Sequence, residues 1–348
     1  MSSRILFSRQ WTWAQRLFAL SVIWLVLAAG ITHWDWQDRW HTIGHERSHW
    51  IKLYFYWAQY TALPLLIACV LRGRGQWLSF SGLIQGLVVF GLALTVWAGQ
   101  IEPHMLFERH STIQIKTGNT ADRPQPLRVA LVSDIHLGLF VRDWQLRRLV
   151  NRLNRIDVDV ILVAGDWTYE PKLDLLESFE PLKGIYQPIY GVIGNHDLQM
   201  PGPKLTKDLT AALTASNVIL IEGKTVNVNG WQLTGLDDLW GGKPAAQVQR
   251  FVTTNKQIIL THQPDTAALL PRGSSALTLA GHSHGGQVNV PIATELVLSA
   301  TMQQPWVDGL YQTPYGQVFT TTGTGMIGLP FRFNMPPRID VLTIEALP

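Results

Sequence analysis

Three long apolar runs lie within the first 101 residues of this 348-residue chain and restrict its fold more than any other feature. Uncharged runs of 16, 19 and 25 residues cover residues 17–32, 53–71 and 77–101. A membrane-spanning helix needs about 20 apolar residues, so the second and third runs suffice and the first is marginal alone. Ten of the 15 Trp residues precede residue 102, and Trp is enriched at membrane interfaces. We therefore predict transmembrane helices over about residues 17–34, 53–71 and 77–101.

A cleaved signal peptide is the alternative interpretation of the first run. Such a peptide ends at a small-x-small site, whereas the bulky Trp34 and Trp36 follow this run. Buried helices of a soluble domain are a further alternative, but three successive runs with flanking aromatic residues fit a membrane better. We expect the first run to be retained and residues 1–102 to form a membrane region.

The distribution of Lys and Arg predicts the orientation of this region. The N-terminal segment carries Arg4, Arg9 and Arg16 with no acidic residue, and the second connection carries Arg72 and Arg74. The first connection is longer, and acidic residues balance its basic ones. Because Lys and Arg near the spans favour the cytoplasm, the N-terminus should be cytoplasmic. The remainder of the chain should then face the periplasm from a bacterial inner membrane.

His41, His45 and His49 recur every four residues in the first connection. On a helix they would share one face and could chelate a metal ion. Gly44 disfavours a helix, however, and the flanking Trp residues are typical of an interfacial segment. A helix at the wet membrane surface is therefore the preferred interpretation, with metal binding as the alternative.

From about residue 111 the sequence has the pattern of a globular α/β domain. Short β-branched runs alternate with segments in which apolar residues recur at helical spacing, as over residues 146–153 and 205–213. Buried strands that alternate with amphipathic helices indicate a sheet with many parallel strands. The predicted strands include residues 111–116, 127–133, 159–164, 188–193, 218–222, 231–236, 257–261 and 276–280.

The end of the chain has a different pattern. After residue 286 the sequence predicts strands and turns, the first strand over residues 287–292. We expect a connection and first strand over residues 103–126, followed by one domain over residues 127–348. A domain of this size can bury a full core.

Polar side chains follow five of the predicted strands, at the point where each strand ends. Five of the 11 His residues lie after residue 120, and all five belong to these clusters. Ligands of open α/β sheets bind beyond the carboxyl ends of the strands, so these side chains should meet at one site. The clusters contain Asp134 and His136; Asp166; Asn195, His196 and Asp197; His262; and His282 and His284.

This set of side chains predicts a metal centre. Carboxylate, imidazole and amide ligands without thiolate are typical of sites for Mn, Fe or Zn that are not structural zinc sites of the Cys type. The only cysteine, Cys69, lies in an apolar run, which excludes an intramolecular disulfide and a Cys-rich metal site. Seven candidate ligands exceed the needs of one ion and suit two ions that share a carboxylate. The net charge is only +3 and no Lys/Arg run occurs, so nucleic acid is not an expected partner.

The order of these clusters resembles that of the calcineurin-like metallophosphoesterases. The chain reads SDIHLG, VAGD, GNHD, THQPD and GHSHGGQ, and the resemblance covers residues 113–347. Two further segments resemble those of one membrane-attached bacterial branch, which is similar to phosphodiesterases and UDP-2,3-diacylglucosamine pyrophosphatases. These segments are LTGLDDLWGG and the ending GLPFRFNMPPRIDVLTI. The implied fold is a metallophosphoesterase-type α/β sandwich preceded by three transmembrane helices.

The resemblance also implies a role for each site residue. His196 would protonate the leaving oxygen, and Asp197 would orient His196. One departure is Tyr169, because members of the family often carry an Asp three residues after the bridging carboxylate. The implied metal ligands are Asp134, His136 and His284 for one ion, Asn195, His262 and His282 for the other, and Asp166 as the bridge.

The implied activity is a metal-dependent phosphodiesterase or pyrophosphatase. Two ions would lower the pKa of a bridging water, and the resulting hydroxide would attack phosphorus in line. Membrane attachment favours a lipid substrate, with Trp240, Trp306 and residues 325–333 as a lipid-facing lip. UDP-2,3-diacylglucosamine fits the bacterial branch, but this lipid is made in the cytoplasm and so conflicts with a periplasmic domain.

Two other classes of function are alternatives to an enzyme. A metal-binding scaffold or sensor without turnover is the main alternative, although a scaffold would not need His196. A transporter would need more spans and charges within them.

Overall fold

The computed structural model describes residues 12–43, 47–72, 80–117, 123–171, 174–198, 205–251 and 256–348. Three helical segments are long and apolar enough to cross a membrane, Trp13–Trp36, His49–Leu71 and Gly82–His104. They agree with the three predicted spans, although the start of the third prediction lies outside the described residues. The helices of this region are α1 (Trp13–Ile43), α2 (Arg47–Ala58), α3 (Ala62–Arg72) and α4 (Phe80–Val96).

The first connection can be followed only in part, because the side chains of His41 and His45 lie outside the described part of the chain. His49 begins the second span, and its Nε2 lies 2.7 Å from Glu170 Oε1. His49 therefore contacts a carboxylate of the globular part of the chain.

After the membrane region, the described chain forms two six-stranded sheets with helices packed against them. The strands are β1 (Phe107–Lys116), β2 (Leu127–Val132), β3 (Leu137–Gly138), β4 (Val160–Ala164), β5 (Thr168–Tyr169), β6 (Ile189–Val192), β7 (Val218–Leu220), β8 (Lys224–Val228), β9 (Trp231–Gly235), β10 (Gln257–Leu260), β11 (Leu277–Ala280), β12 (Gly309–Thr313), β13 (Gly316–Thr320) and β14 (Arg338–Leu347). The first sheet has the order β1-β14-β2-β4-β6-β7 and the second β12-β13-β11-β10-β9-β8. β3 and β5 form a separate short pair.

Side chains of β2 alternate between two cores, as the period of a strand requires. Val129 and Leu131 join the core between the two sheets, whereas Ala130 and Val132 join the core under the helices of the first sheet. These helices are α5 (Asp143–Leu153), α6 (Leu175–Phe179) and α7 (Thr206–Ala215), and α8 (Pro244–Phe251) covers the second sheet. The predicted α/β sandwich is confirmed as two sheets between two layers of helices.

Parallel pairing brings the strand ends together. β2, β4 and β6 run parallel in the first sheet, and β9, β10 and β11 run parallel in the second. The sheets meet at these ends, where His262 Nδ1 of the second sheet lies 2.8 Å from Ala164 O of the first. Gly281 N–H in turn donates to His262 O at 3.0 Å. The predicted site therefore lies between the two sheets.

The predicted strand over residues 287–292 was wrong. Val288 forms only an isolated bridge to Phe333, and helix α9 (Ala293–Thr301) follows directly. The Thr294 hydroxyl explains the turn into this helix, since it accepts from Val290 N–H at 2.7 Å and donates to Val288 O at 2.8 Å. Such local hydrogen bonds compete with pairing in a sheet.

Candidate metal centre

Five of the seven predicted ligand residues have a left-handed backbone. Their φ values are 52° for Asp134, 52° for His136, 54° for Asp166, 70° for His282 and 51° for His284. Residues other than Gly rarely adopt this conformation, which costs on the order of 1 kcal/mol or more each. Such strain persists only where the surrounding fold enforces it, and it clusters at functional sites.

Asp134, His136 and His284 form the first group of candidate ligands. The Nε2 atoms of His136 and His284 are 3.0 Å apart, and Asp134 Oδ1 lies 3.3 Å from His284 Nε2 and 3.7 Å from His136 Nε2. All three side chains are buried, and their ligand atoms lie within 4.8 Å of one another. This spacing could hold one metal ion.

Asp166 connects the first group to a second one. Its Oδ2 lies 3.6 Å from His136 Nε2 and 3.1 Å from His262 Nε2. His262 Nε2 is also 3.0 Å from Asn195 Oδ1 and 3.2 Å from His282 Nδ1. The structure thus brings all seven predicted ligands together, with Asp166 between the two groups.

Hydrogen bonds at the far side of two rings determine which nitrogen faces the centre. Nδ1–H of His262 donates to Ala164 O at 2.8 Å, and Nδ1–H of His136 donates to Thr168 O at 3.3 Å. A carbonyl oxygen only accepts, so Nδ1 carries a proton in both rings and Nε2 is the nitrogen that can bind an ion. This arrangement is typical of metal-binding histidines.

A divalent cation fits this set of residues. The buried Oδ1 of Asp134 has no hydrogen-bond donor among the described residues. A buried carboxylate oxygen without a partner is costly, and a bound cation would satisfy it. The set of carboxylate, imidazole and amide donors is also the one that Mn, Fe and Zn accept.

The pKa values of the imidazoles differ within the centre. Burial lowers the pKa of His136 and of His282 to about 3, so both rings are neutral at pH 7. Burial would lower the pKa of His262 as well, but the charge of Asp166, its hydrogen bond and the charge of Asp134 raise it to about 10. His262 therefore holds a proton that a metal ion must displace.

His196 lies at the edge of this centre and is partly exposed. Its backbone N–H donates to Asp166 Oδ1 at 2.9 Å. Its ring meets those of His136 at 5.3 Å and Tyr169 at 5.1 Å between centroids, in both cases edge to face. Burial lowers its pKa, and Asp166 partly offsets this effect. Within the part of the chain that the structure describes, neither ring nitrogen has a hydrogen-bond partner, so both can meet a ligand.

Asp197 binds the main chain next to His196. Its buried carboxylate accepts hydrogen bonds at 2.9–3.2 Å from the N–H groups of Gly194, Trp167 and Thr168 and from the Thr168 hydroxyl. Burial raises its pKa to about 7. These bonds hold the turn that precedes and includes His196. The described hydrogen bonds of Asp197 include none to the His196 ring, so the predicted orienting role would act through this turn.

Arg332 is a residue of the site that the strand-end pattern did not identify. It is fully buried and donates to the main-chain oxygens of Gly325 and Met335 at 2.6–2.9 Å. Its Nη2 lies 3.4 Å from His284 Nδ1, behind the metal-facing side of that ring. The only signal in the sequence was its place in the PFRF segment that resembles the bacterial branch.

The predicted lipid-facing lip is only partly formed. Trp240 is 57% exposed, and its ring lies 4.8 Å from that of His282. Trp306 is instead buried against Ala267 and Val318, so its assignment to the lip was wrong. Within residues 325–333, Leu329 is 52% exposed.

Comparisons with known proteins support this fold. The Calcineurin-like phosphoesterase family matches residues 127–286. The "Uncharacterized metallophosphoesterase YkuE" of Bacillus subtilis (strain 168) is 27% identical over 72% of this chain and 89% of its own length. A Danio rerio "Transmembrane protein with metallophosphoesterase domain" is 32% identical over 63% of this chain and 53% of its own. "Phosphodiesterase YaeI" of Escherichia coli (strain K12) is 25% identical over 64% of this chain and 84% of its own.

The family match covers all the strand ends that supply the candidate ligands, from Asp134 to His284. This chain covers 89% of the Bacillus subtilis protein and 84% of the Escherichia coli protein, but only 53% of the Danio rerio protein. Residues 127–286 therefore carry a calcineurin-like phosphoesterase domain, which follows three helices able to cross a membrane.

Proposed function

We propose that this protein is a membrane-anchored phosphoesterase that cleaves a phosphodiester or pyrophosphate bond with two divalent ions, Mn, Fe or Zn. The convergence of seven ligand side chains from both sheets carries the proposal. When bound, the ions would supply Lewis-acid activation of water and neutralise charge on the phosphoryl oxygens. The proposed ligands are Asp134, His136 and His284 for one ion, Asn195, His262 and His282 for the other, and Asp166 for both.

His196 would provide the proton for the leaving oxygen. Its ring is held by packing against His136 and Tyr169, and its nitrogens are available to a substrate. A positioned general acid contributes about 10²- to 10⁴-fold to a rate. We expect His196→Asn to keep its metal and to lose activity mainly on esters with poor leaving groups. Full activity of this variant on such an ester would refute the role.

The first experiment measures metal and turnover together. The full chain in detergent is loaded with Mn²⁺, its metal content is measured, and hydrolysis of bis(p-nitrophenyl) phosphate is followed beside that of His282→Ala. Two ions per chain and diester turnover, both reduced in the variant, are expected. Metal binding without turnover on any diester or pyrophosphate would favour a scaffold or sensor instead. Turnover that does not depend on added metal would refute the proposal.

An amphiphilic substrate at the bilayer surface is the second part of the proposal, and an apolar rim beside the metal centre supports it. The rim is joined by Gln287, whose side-chain amide donates to Ile327 O at 2.8 Å and to Leu329 O at 3.1 Å. Gln287 follows His284 closely in sequence, so the rim adjoins the centre. Its exposed side chains are Val290 (43%), Ile292 (76%), Leu296 (67%) and Leu329 (52%).

The same rim is attached to the end of the third span. Arg332 N–H donates to Ala98 O at 2.8 Å, and Gly99 lies so close to Phe331 that an added Cβ would be 2.9 Å from its ring. Exposed apolar side chains next to the point where a helix leaves the membrane favour contact with lipid. A phosphorylated lipid could therefore present its head group to the centre while its chains stay in the bilayer.

Leu296→Asp tests this access route. Full burial of one Leu side chain is worth about 1.5–3 kcal/mol, so turnover of a lipid diester in vesicles should fall about tenfold or more. Turnover of a soluble diester should not change. The matched control is Ile219→Asp on β7, where a similarly exposed side chain (46%) lies away from the rim. Equal effects of the two variants would contradict the route.

We further propose that the catalytic domain faces the periplasm of a bacterial inner membrane. The basic residues of the N-terminal segment and of the second connection support this orientation. A nucleotide lipid such as UDP-2,3-diacylglucosamine, which is made in the cytoplasm, would require the opposite orientation. A C-terminal reporter that is active only in the cytoplasm would overturn the periplasmic assignment and favour that substrate.

A further inference from the structure

The second membrane helix reaches the edge of the metal centre. Leu53 and Tyr56 of α2 pack in one cluster with Phe140, Tyr169 and Met326 of the catalytic domain. This cluster is apolar, so it excludes water from the ion pair beside it.

The ion pair joins the two regions of the chain directly. Lys52 Nζ lies 2.7 Å from Tyr169 Oη and 2.9 Å from Glu170 Oε1. His49, one turn earlier on α2, has its Nε2 2.7 Å from the same oxygen of Glu170. Glu170 is only 12% exposed in its side chain and Lys52 25%, so the contact is largely screened from solvent.

Tyr169 extends this contact to the catalytic residues. Its side chain is buried, and its ring meets those of His196 at 5.1 Å and His136 at 5.6 Å, both edge to face. The ring nitrogens of His196 have no hydrogen-bond partner among the described residues. The orientation of the His196 ring is therefore determined by the rings that pack against it, and only Tyr169 among these is held by a group outside the domain.

We propose that Lys52 and Tyr169 are positioning residues for His196, so that the membrane region completes the catalytic apparatus. Lys52 fixes the hydroxyl of Tyr169, and the fixed Tyr169 ring limits rotation of the His196 ring toward the leaving oxygen. The inference rests on the proposed function, in which His196 protonates that oxygen. Tyr169 is also the position at which the sequence departs from the family pattern.

Leaving-group dependence tests this role in the full chain. Phenol has a pKa of about 10, as the Tyr side chain has, and its departure benefits from protonation, whereas p-nitrophenolate leaves readily without it. We expect Lys52→Met and Tyr169→Phe to lower kcat on a phenyl phosphodiester by about 10- to 100-fold, as loss of an orienting partner does elsewhere. The kcat on bis(p-nitrophenyl) phosphate should change by less than about threefold, with KM and metal content unchanged.

Two controls separate positioning from simple docking of the helices. Asp35→Asn weakens another polar contact between the two regions, Arg142 Nη2 to Asp35 Oδ2 at 2.8 Å, without touching Tyr169. This variant should hydrolyse both esters with the kcat of the wild type. Tyr169→Phe keeps the ion pair of Lys52 with Glu170, so it reports on the hydroxyl even where Lys52→Met unfolds. The double variant should be no slower than the slower single variant, because both changes act through the same ring.

The outcomes distinguish this inference from the proposed function. If the wild-type chain with Mn²⁺ hydrolyses neither ester, the diesterase part of the proposed function fails and this inference fails with it. If the wild type hydrolyses both, then an equal loss on the two esters in Lys52→Met and Tyr169→Phe, or no loss in either, overturns the inference alone. A selective loss on the phenyl ester in both variants, with Asp35→Asn unchanged, supports it.

Discussion

Metal binding at this centre should release a proton from His262, and this release can be measured. The charges of Asp166 and Asp134 outweigh burial and raise the pKa of His262 to about 10. At pH 7 the ring is protonated, and its Nε2 must lose the proton before it can bind an ion. Three pH units at about 1.4 kcal/mol each make this displacement cost about 4 kcal/mol at pH 7. His136 and His282, whose pKa values are lowered to about 3, should release none.

The sign of the pH dependence follows from this shift. The folded-state pKa of His262 lies above the unfolded value of about 6.5, so its protonation stabilises the metal-free fold fully below pH 6.5. This contribution is lost progressively as the pH rises from about 6.5 to about 10. Over the same interval the affinity for the ion that His262 binds should rise by up to about tenfold per pH unit, because fewer protons compete with it.

Titration calorimetry of the metal-free chain with Mn²⁺ tests both statements. At pH 8.5 the carboxyl of Asp197, with a pKa of about 7, is already ionised and does not contribute. Titrations in two buffers of different ionisation enthalpy should report about one proton released as both sites fill. His262→Gln should abolish the release. An affinity that stays constant from about pH 7 to 9, or no release in the wild type, would refute the reasoning.

Three further variants test the scaffold around the centre. Gly281→Ala would place a Cβ 2.0 Å from Ser133 Oγ, so Mn²⁺ affinity measured by calorimetry should fall at least about tenfold; Gly184→Ala, whose Cβ has 3.7 Å of space, should change nothing. Asp197→Asn turns an amide N–H toward N–H donors and should cost about 1–3 kcal/mol in thermal unfolding, and an unchanged midpoint would contradict this. Arg332→Met strips donors from buried carbonyls and should cost at least about 3 kcal/mol by the same measurement, whereas a smaller loss would mean that water replaces the guanidinium.

Features that depend on local pattern could be predicted from the sequence. The length of an apolar run is enough to predict a membrane helix, because every backbone group of a helix is satisfied within the segment. Short apolar β-branched runs predicted the strands, and parallel strands necessarily bring their carboxyl ends to one edge. Asp134, Asp166 and His262 could therefore be assigned to one site before any distance was known.

The sequence pattern did not predict the structure correctly at two places. Residues 287–292 alternate as a strand does, yet the hydroxyl of Thr294 turns the chain into α9. Trp306 is of a residue type that often lies at a membrane surface, yet it is buried in a cluster with Ala267 and Val318. In each case contacts that are distant in sequence, or a single hydrogen bond, outweigh the local preference.

Which atom of each residue faces the metal centre, and what holds it there, could be read only from the folded structure. The N–H of His282 donates to Asp134 Oδ2 at 3.0 Å, and the N–H groups of Trp167 and Thr168 donate to Asp197, so these bonds join segments that are distant in sequence. Lys52 lies 117 residues before Tyr169, and nothing in either segment predicts their contact. Such a contact exists because packing of α2 on the domain brings the two groups together, and pattern within one segment carries no information about that packing.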